Sequence, residues 1–185
     1  NIAVSFLDDD FTGVLIGDVN GSVVPNLTNG GGNENSEVLK FRLNDRSLQA
    51  GEIVTIPFKA VDFTDARAYQ TTIAFDPEVL ELQDIHAGVL PGVSESNFGT
   101  QFLADGLIST LWVGDKSTSL NDNETLFSLT FKAIEAAPSL SGVLHNSSTI
   151  TEALAIGGAG NTLGVDFEFV TSVATGEVES KTFAL

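Results

Sequence analysis

Few residues in this chain have the type and spacing needed for chemistry. Asp18, Asn20 and Ser22 stand at positions 1, 3 and 5 of an EF-type calcium loop. The loop then fails twice. Val23 occupies the position that needs glycine for the sharp turn, and Asn29 occupies the position that needs a bidentate glutamate. DVNGS therefore reads as an Asp/Asn/Gly turn. Asp8, Asp9 and Asp10 read as a charged loop that blunts an edge strand. The alternative use of these carboxylates is a calcium site outside the EF pattern, built from Asp8, Asp9, Asp10, Asp18 and Asn20 or completed by Asp62 or Asp65. No cofactor is required, and calcium is the one candidate ion.

Other chemistry finds less support. His86 and His145 are the only histidines, and neither stands in metal-ligand or triad spacing. Both read as surface or strand-end residues. Glycosidase chemistry needs two opposed carboxylates, but among 25 acidic residues pairs are inevitable and carry no information. Gly157, Gly158 and Gly160 precede no helical pattern, so they mark a hairpin or loop and not a phosphate cradle. Trp112 and Tyr69 could present a sugar platform, yet both alternate in register with apolar neighbours and are expected in the core. Asn20, Asn26, Asn123 and Asn146 begin Asn-x-Ser/Thr sequons, which count only where a glycosylating pathway meets the chain. No catalytic residue is assigned, and no enzymatic activity is expected.

The elements that must position these residues are strands. Residues 68–75 alternate Tyr69, Thr71, Ile73 and Phe75 with Gln70, Thr72 and Ala74, the pattern of a half-buried strand. Asp76-Pro77 stops it, because Pro77 has no N–H and biases Asp76 away from helix. A second run, 79–85, starts at once. Further strands are expected at 38–43, 53–61, 98–104, 107–113, 125–134, 142–144, 150–156, 164–170 and 178–183. Asp105-Gly106 signals a two-residue hairpin, and Pro57 an edge position or a bulge. Residues 114–124 read as a polar loop. No segment shows a 3.6-residue apolar period, so short strands split by Gly/Asn/Asp turns indicate a β-sandwich or jelly roll.

Composition sets the outer limits. The chain has 185 residues, 42% of them apolar, with 13 Phe against one Trp and one Tyr, which is core-forming content. A formal charge of −17 repels nucleic acid and anionic membrane, so neither is expected as a partner. There is no cysteine, hence no disulfide or thiolate site. Met is absent too, and the chain reads as a processed or excised piece of a longer precursor. No apolar run approaches the ~18 residues of a spanning helix. The segment 28–36, TNGGGNENS, reads as a linker. Residues 1–33 are then an N-terminal strand segment with that Gly-rich linker, 34–170 the main sandwich, and 171–185 a C-terminal strand or tail. In the first of these, Ile2, Val4 and Phe6 share one face of a terminal strand, which suits pairing within its own domain or exchange with a neighbouring molecule.

Four pieces in order, GEIVTIPFKAV (51–61), AYQTTIAFDPEVLEL (68–82) with GVLPG (88–92), LISTLWVGD (107–115) and ETLFSLTFKA (124–133), resemble the cohesin family. The resemblance implies an all-β, cohesin-like jelly-roll β-sandwich with a flat face for a dockerin partner, here preceded by an N-terminal two-strand extension. FTGVLIGDVNGS (11–22), LHNSSTITEALAI (144–156) and SKTFAL (180–185) resemble segments of large surface proteins of the Bacteroidetes, the last as the lead-in to a type IX sorting domain. Together these imply an extracellular or surface-attached module that associates with another protein. The alternatives are a fibre subunit that joins copies of itself by strand exchange, and a carbohydrate-binding module.

Overall fold

The computed structural model describes residues 38–171. Ile2, Val4, Phe6, Asp8, Asp9, Asp10, Asp18, Asn20, Asn26 and the expected strand 178–183 lie outside the described residues. Ten strands follow one another: β1 (Val38–Asp45), β2 (Ile53–Val61), β3 (Ala66–Phe75), β4 (Leu80–Ala87), β5 (Phe98–Gly99), β6 (Leu107–Thr118), β7 (Thr125–Ala133), β8 (Leu144–Ser147), β9 (Leu154–Gly157) and β10 (Thr162–Thr171). They pair in the order β4-β7-β2-β1-β10-β9-β3-β6-β5, with β8 also on β3. This is one sheet curled into a sandwich. One layer is β4-β7-β2-β1-β10; the other is β5-β6-β3 with β8 and β9 beside β3. All pairs are antiparallel except β1 with β10.

Period-2 alternation puts Leu39, Phe41 and Leu43 of β1, Val54, Ile56 and Phe58 of β2, and Phe127, Leu129 and Phe131 of β7 on the inside. Phe127 is the meeting point. It is fully buried, stacks on Phe58 with centroids 4.5 Å apart, and meets Phe98 edge-on at 5.0 Å and Phe41 at 6.2 Å. Phe41 in turn meets Tyr69 of β3 at 5.0 Å, and Tyr69 stacks on Trp112 of β6 at 5.9 Å. The chain of rings thus ties one layer to the other, each pair worth about 0.5–1.5 kcal/mol beyond its burial.

The turn at Asp76 works as its sequence suggests. Its carbonyl accepts the N–H groups of Val79 and Leu80 at 3.1 and 2.8 Å, and its Oδ1 accepts that of Glu78 at 2.9 Å. β3 lies in one layer and β4 pairs with β7 in the other, so this turn carries the chain across the sandwich. Pro57 sits one residue from the bulge between Phe58 and Lys59, and β2 pairs with β1 only over Lys59–Val61.

Three expectations need correction. Asp105-Gly106 is not a two-residue hairpin: β5 ends at Gly99, and Leu103–Asp105 forms a 3-10 turn closed by Gly106 at φ 71°. Glycine is required there, because a Cβ would lie 2.0 Å from the Phe75 carbonyl oxygen. The expected strand 150–156 begins only at Leu154, because 148–153 is a loop between β8 and β9. The expected polar loop begins later than 114, since β6 continues to Thr118 through the register shift opposite Ala66 and Ala68.

The crossover from β7 to β8 is pinned to the end of β1 by Asp45. Its Oδ2 accepts the Ser141 hydroxyl at 2.7 Å and its Oδ1 the Ser141 N–H at 3.1 Å. Burial acts to raise the Asp45 pKa, but the summed hydrogen bonds from Ser141 and nearby backbone outweigh it and hold the carboxyl below its ordinary value of 3.8. A depressed folded pKa means stability that is present above 3.8 and lost as the pH falls through the folded value. Asp45→Ala is expected to cost about 1 kcal/mol near neutral pH at this exposed site. Denaturation curves of variant and parent should converge in acid below that range.

Candidate protein-binding face

β3 and β6 pair in register, and each turns one set of side chains inward. Tyr69, Thr71, Ile73 and Phe75 of β3, with Ile108, Thr110 and Trp112 of β6, are all buried. The outward set lies in cross-strand pairs: Ala68 opposite Val113, Gln70 opposite Leu111, Thr72 opposite Ser109, Ala74 opposite Leu107. On the other side of β3, Ile156 stands opposite Ala68 and Leu154 opposite Gln70. One flat surface therefore carries Val113, Leu111, Leu154 and Ile156 around Ala68 and Gln70. Val113 is 66% exposed and Leu111 51%.

The outer face of the other layer differs in kind. Its cross-strand rows run Glu81–Lys132–Ile53, Thr130–Thr55 and Lys59–Arg42–Glu168. Arg42 Nε donates to Glu168 Oε2 at 2.8 Å and its Nη1 to Asn123 Oδ1 at 3.2 Å, and the hydroxyls of Thr55 and Thr130 are 2.9 Å apart. Ile53 and Val38 are apolar exceptions on this face. Here Arg42 and the two threonines are held in pairs. On the β3–β6 face, apolar side chains meet water.

One edge of the apolar face is closed by the 148–153 loop. Thr72 points outward yet is fully buried, because this loop folds over it. Its Oγ1 accepts the N–H groups of Ile150 and Thr151 at 3.2 and 3.1 Å. Gln70 Nε2 donates to the Glu152 carbonyl at 3.2 Å. Underneath, the Thr71 hydroxyl donates to Asn146 Oδ1, and Asn146 Nδ2 donates to the Val165 carbonyl at 2.7 Å.

The candidates from the sequence scatter. Asn146 is half-buried, its Oδ1 and Nδ2 each held by an interior hydrogen bond, so it is a poor acceptor for a bulky glycan; Asn123 sits on an exposed turn. Trp112 and Tyr69 are core residues, and Trp112 Nε1 donates to the Pro91 carbonyl at 2.7 Å. Neither offers a sugar platform. Burial pushes the Tyr69 phenol well above its ordinary pKa. His145 is exposed on β8. His86 is exposed on β4, its Nε2 3.2 Å from the Thr130 hydroxyl and 3.5 Å from Asp84 Oδ2. Asp62 and Asp65 line a separate recess of about 480 Å³ with Gly157, Gly158 and Asn161. Their N–H groups donate to Asp122 Oδ1 and Ser119 Oγ, both at 2.9 Å. Among the described residues no group of three His, Cys, Asp or Glu side chains could hold a metal.

The exposed pair Leu111 and Val113 was not singled out from the sequence, although a signal was there. LISTLWVGD is apolar on both faces: Ile108 and Trp112 on one, Leu107, Leu111 and Val113 on the other. A strand that is apolar on both faces has a second surface to cover. Thr72→Val keeps the shape but removes the acceptor for two loop amides. It is expected to cost about 1–3 kcal/mol and to raise hydrogen exchange at Ile150 and Thr151 while the core amides of β7 stay protected.

Comparison with known proteins bears on this architecture. The Cohesin domain family matches residues 39–164. Among solved structures, the chain is similar to a type I cohesin–dockerin complex of Clostridium thermocellum, at 11% identity and a TM-score of 0.54 over 72% of this chain and 100% of that one. It is similar to CaCohA2 of Clostridium acetobutylicum, at 14% identity and 0.54 over 74% and 92%. It is also similar to the sixth cohesin of scaffoldin B of Acetivibrio cellulolyticus, solved in complex with the Cel5 dockerin, at 17% identity and 0.51 over 72% and 99%. At these identities the likeness is one of fold. No curated protein matches the sequence.

Proposed function

Since the chain belongs to the cohesin domain family, a family of non-catalytic protein-binding modules, we propose that it associates with a second protein through the outer face of β3, β6 and β9. The observation that carries the reading is the contrast between the two outer faces. One is lined mainly by Thr, Lys, Arg and Glu with isolated apolar side chains, whereas the other exposes Leu111 and Val113 side by side, with Leu154 and Ile156 across β3. Apolar side chains that a partner excludes from water make up the fully buried core of a protein–protein interface.

The partner class follows from the relatives. Two of the similar structures are cohesins in complex with dockerins, and a dockerin-like module is the partner assigned to this face. The face lies among acidic residues: Glu152 in the covering loop, Asp105 ahead of Leu107 and Asp115 after Val113. With a formal charge of −17 over the chain, a partner with basic side chains around an apolar centre is favoured in association rate and orientation. We place the module outside the cell, in a secreted or surface-attached assembly. That placement rests on the resemblance of residues 11–22, 144–156 and 180–185 to surface proteins of the Bacteroidetes. No helix among the described residues is long and apolar enough to cross a membrane.

The test uses a panel of dockerin modules and calorimetry. At least one is expected to bind the parent chain. Leu111→Asp and Val113→Asp should each cost about 2 kcal/mol or more as central contacts, roughly thirtyfold in Kd. Because both side chains already face water, melting temperature should hardly move. Unchanged binding by the double variant, or no binding by any dockerin, would refute the assignment.

A further inference from the structure

The curled sheet does not close on itself. Its two ends are β4 and β5, and both line one cleft of about 350 Å³. Leu82 and Ile85 come from the β4 side, Phe98 and Leu103 from the β5 side, and Asp84 and Glu95 stand among them. Leu82, Ile85 and Leu103 are half-buried against the core, and Phe98 is 8% exposed. Among the described residues β4 pairs with β7 alone, so its other edge is open. The register shift between Leu82 and Asp84 leaves Gln83 out of the β7 ladder, and Asp84 Oδ1 covers one edge donor by accepting the Ile85 N–H at 2.8 Å.

An open strand edge beside an apolar floor is an acceptor for an extended segment whose alternate side chains are apolar. Residues 2–6, outside the described residues, form such a segment, with Ile2, Val4 and Phe6 at period 2 and no charge among them. We propose that the cleft between β4 and β5 accepts residues 2–6 of a second copy of this chain as an added strand, with Ile2, Val4 and Phe6 turned onto Leu82, Ile85, Phe98 and Leu103. Successive alternate side chains along a strand are about 6.8 Å apart, so three of them cover a floor of four apolar side chains. Asp8, Asp9 and Asp10 follow directly, and the cleft presents Asp84 and Glu95. Like charge therefore sets where insertion ends. Donor and acceptor are different surfaces, so the contact is head-to-tail and adds copies in a line. It leaves the β3–β6–β9 face free and stands independently of the partner assigned to that face.

The full chain supplies the test. Sedimentation of the parent should show the average mass rising at least about twofold with protein concentration. The rise should be larger in about 0.5 M salt than in about 0.05 M, because the shorter Debye length at high salt weakens the repulsion between copies of net charge −17. Val4→Asp removes the donor. Gln83→Pro blocks the β4 edge at a residue that makes no β7 pair. Each variant alone should be monomeric. Mixed, they should form a one-to-one pair and nothing larger, because each retains the half the other lacks. A parent that stays monomeric at every concentration and salt, or a mixture that forms no pair, overturns the proposal. Should Gln83→Pro fail to fold, a peptide of residues 1–7 added to the parent replaces it. Shifts at the amides of 81–85 support the site, and no shift overturns it.

Discussion

The packing of Phe127 against Phe41, Phe58 and Phe98 is the contact on which the rest of this fold depends. These rings come from four different strands, β7, β1, β2 and β5, and they form the centre of the core between the two layers. With no cysteine in the chain to cross-link them, the layers are held by this burial and by the β10–β9 pairing that makes them one sheet. The relay continues from Phe41 through Tyr69 to Trp112. It thereby reaches the underside of the strand that carries Leu111 and Val113. A dense aromatic interior holds the backbone of that strand in place, so only the outward side chains have to be ordered on binding.

Alternation then divides the labour. On every strand the inward residue is committed to the core, so function is left to the outward ones. In the β4–β7–β2–β1–β10 layer these are mostly Thr, Lys, Arg and Glu, with Arg42–Glu168 and Thr55–Thr130 paired across the rungs. In the other layer Leu, Val, Ile and Ala stand around Gln70, Thr72 and Ser109. The loop at 148–153 covers part of the outer face, and it does so through Thr72, whose hydroxyl serves three backbone groups. The same loop divides β8 from β9, so the boundary of the exposed face is built by the interruption of a strand.

Much of the fold was legible. The strand 53–61 matches β2 end to end, because its alternation is uninterrupted and its bounds are marked by turn residues. Asp76-Pro77 was read as a turn between stretches of sheet, and it is one. Trp112 and Tyr69 were placed in the core from register alone. What failed did so for non-local reasons. The interval 150–156 has strand-forming residues throughout, but the first part is drawn out of the sheet by the Thr72 hydroxyl, 78 residues earlier in the chain. Asp105-Gly106 has hairpin chemistry, yet Gly106 is pressed against the backbone of Phe75, a neighbour that no local window contains. The candidate face was hidden for the same reason: period-2 patterning shows that Leu111 and Val113 share a side, but not that Ile156 and Leu154 lie across β3 from them.

The central claim is that the apolar outer face of β3, β6 and β9 is where a partner sits. Mapping amide shifts of the chain on addition of a bound dockerin-like module tests it most directly. The perturbed amides should cluster at Ala68, Gln70, Leu111, Val113 and Leu154, with Thr55, Thr130 and Arg42 on the opposite layer unmoved. Perturbation centred on Thr55, Thr130 and Arg42, with Leu111 and Val113 silent, would contradict it.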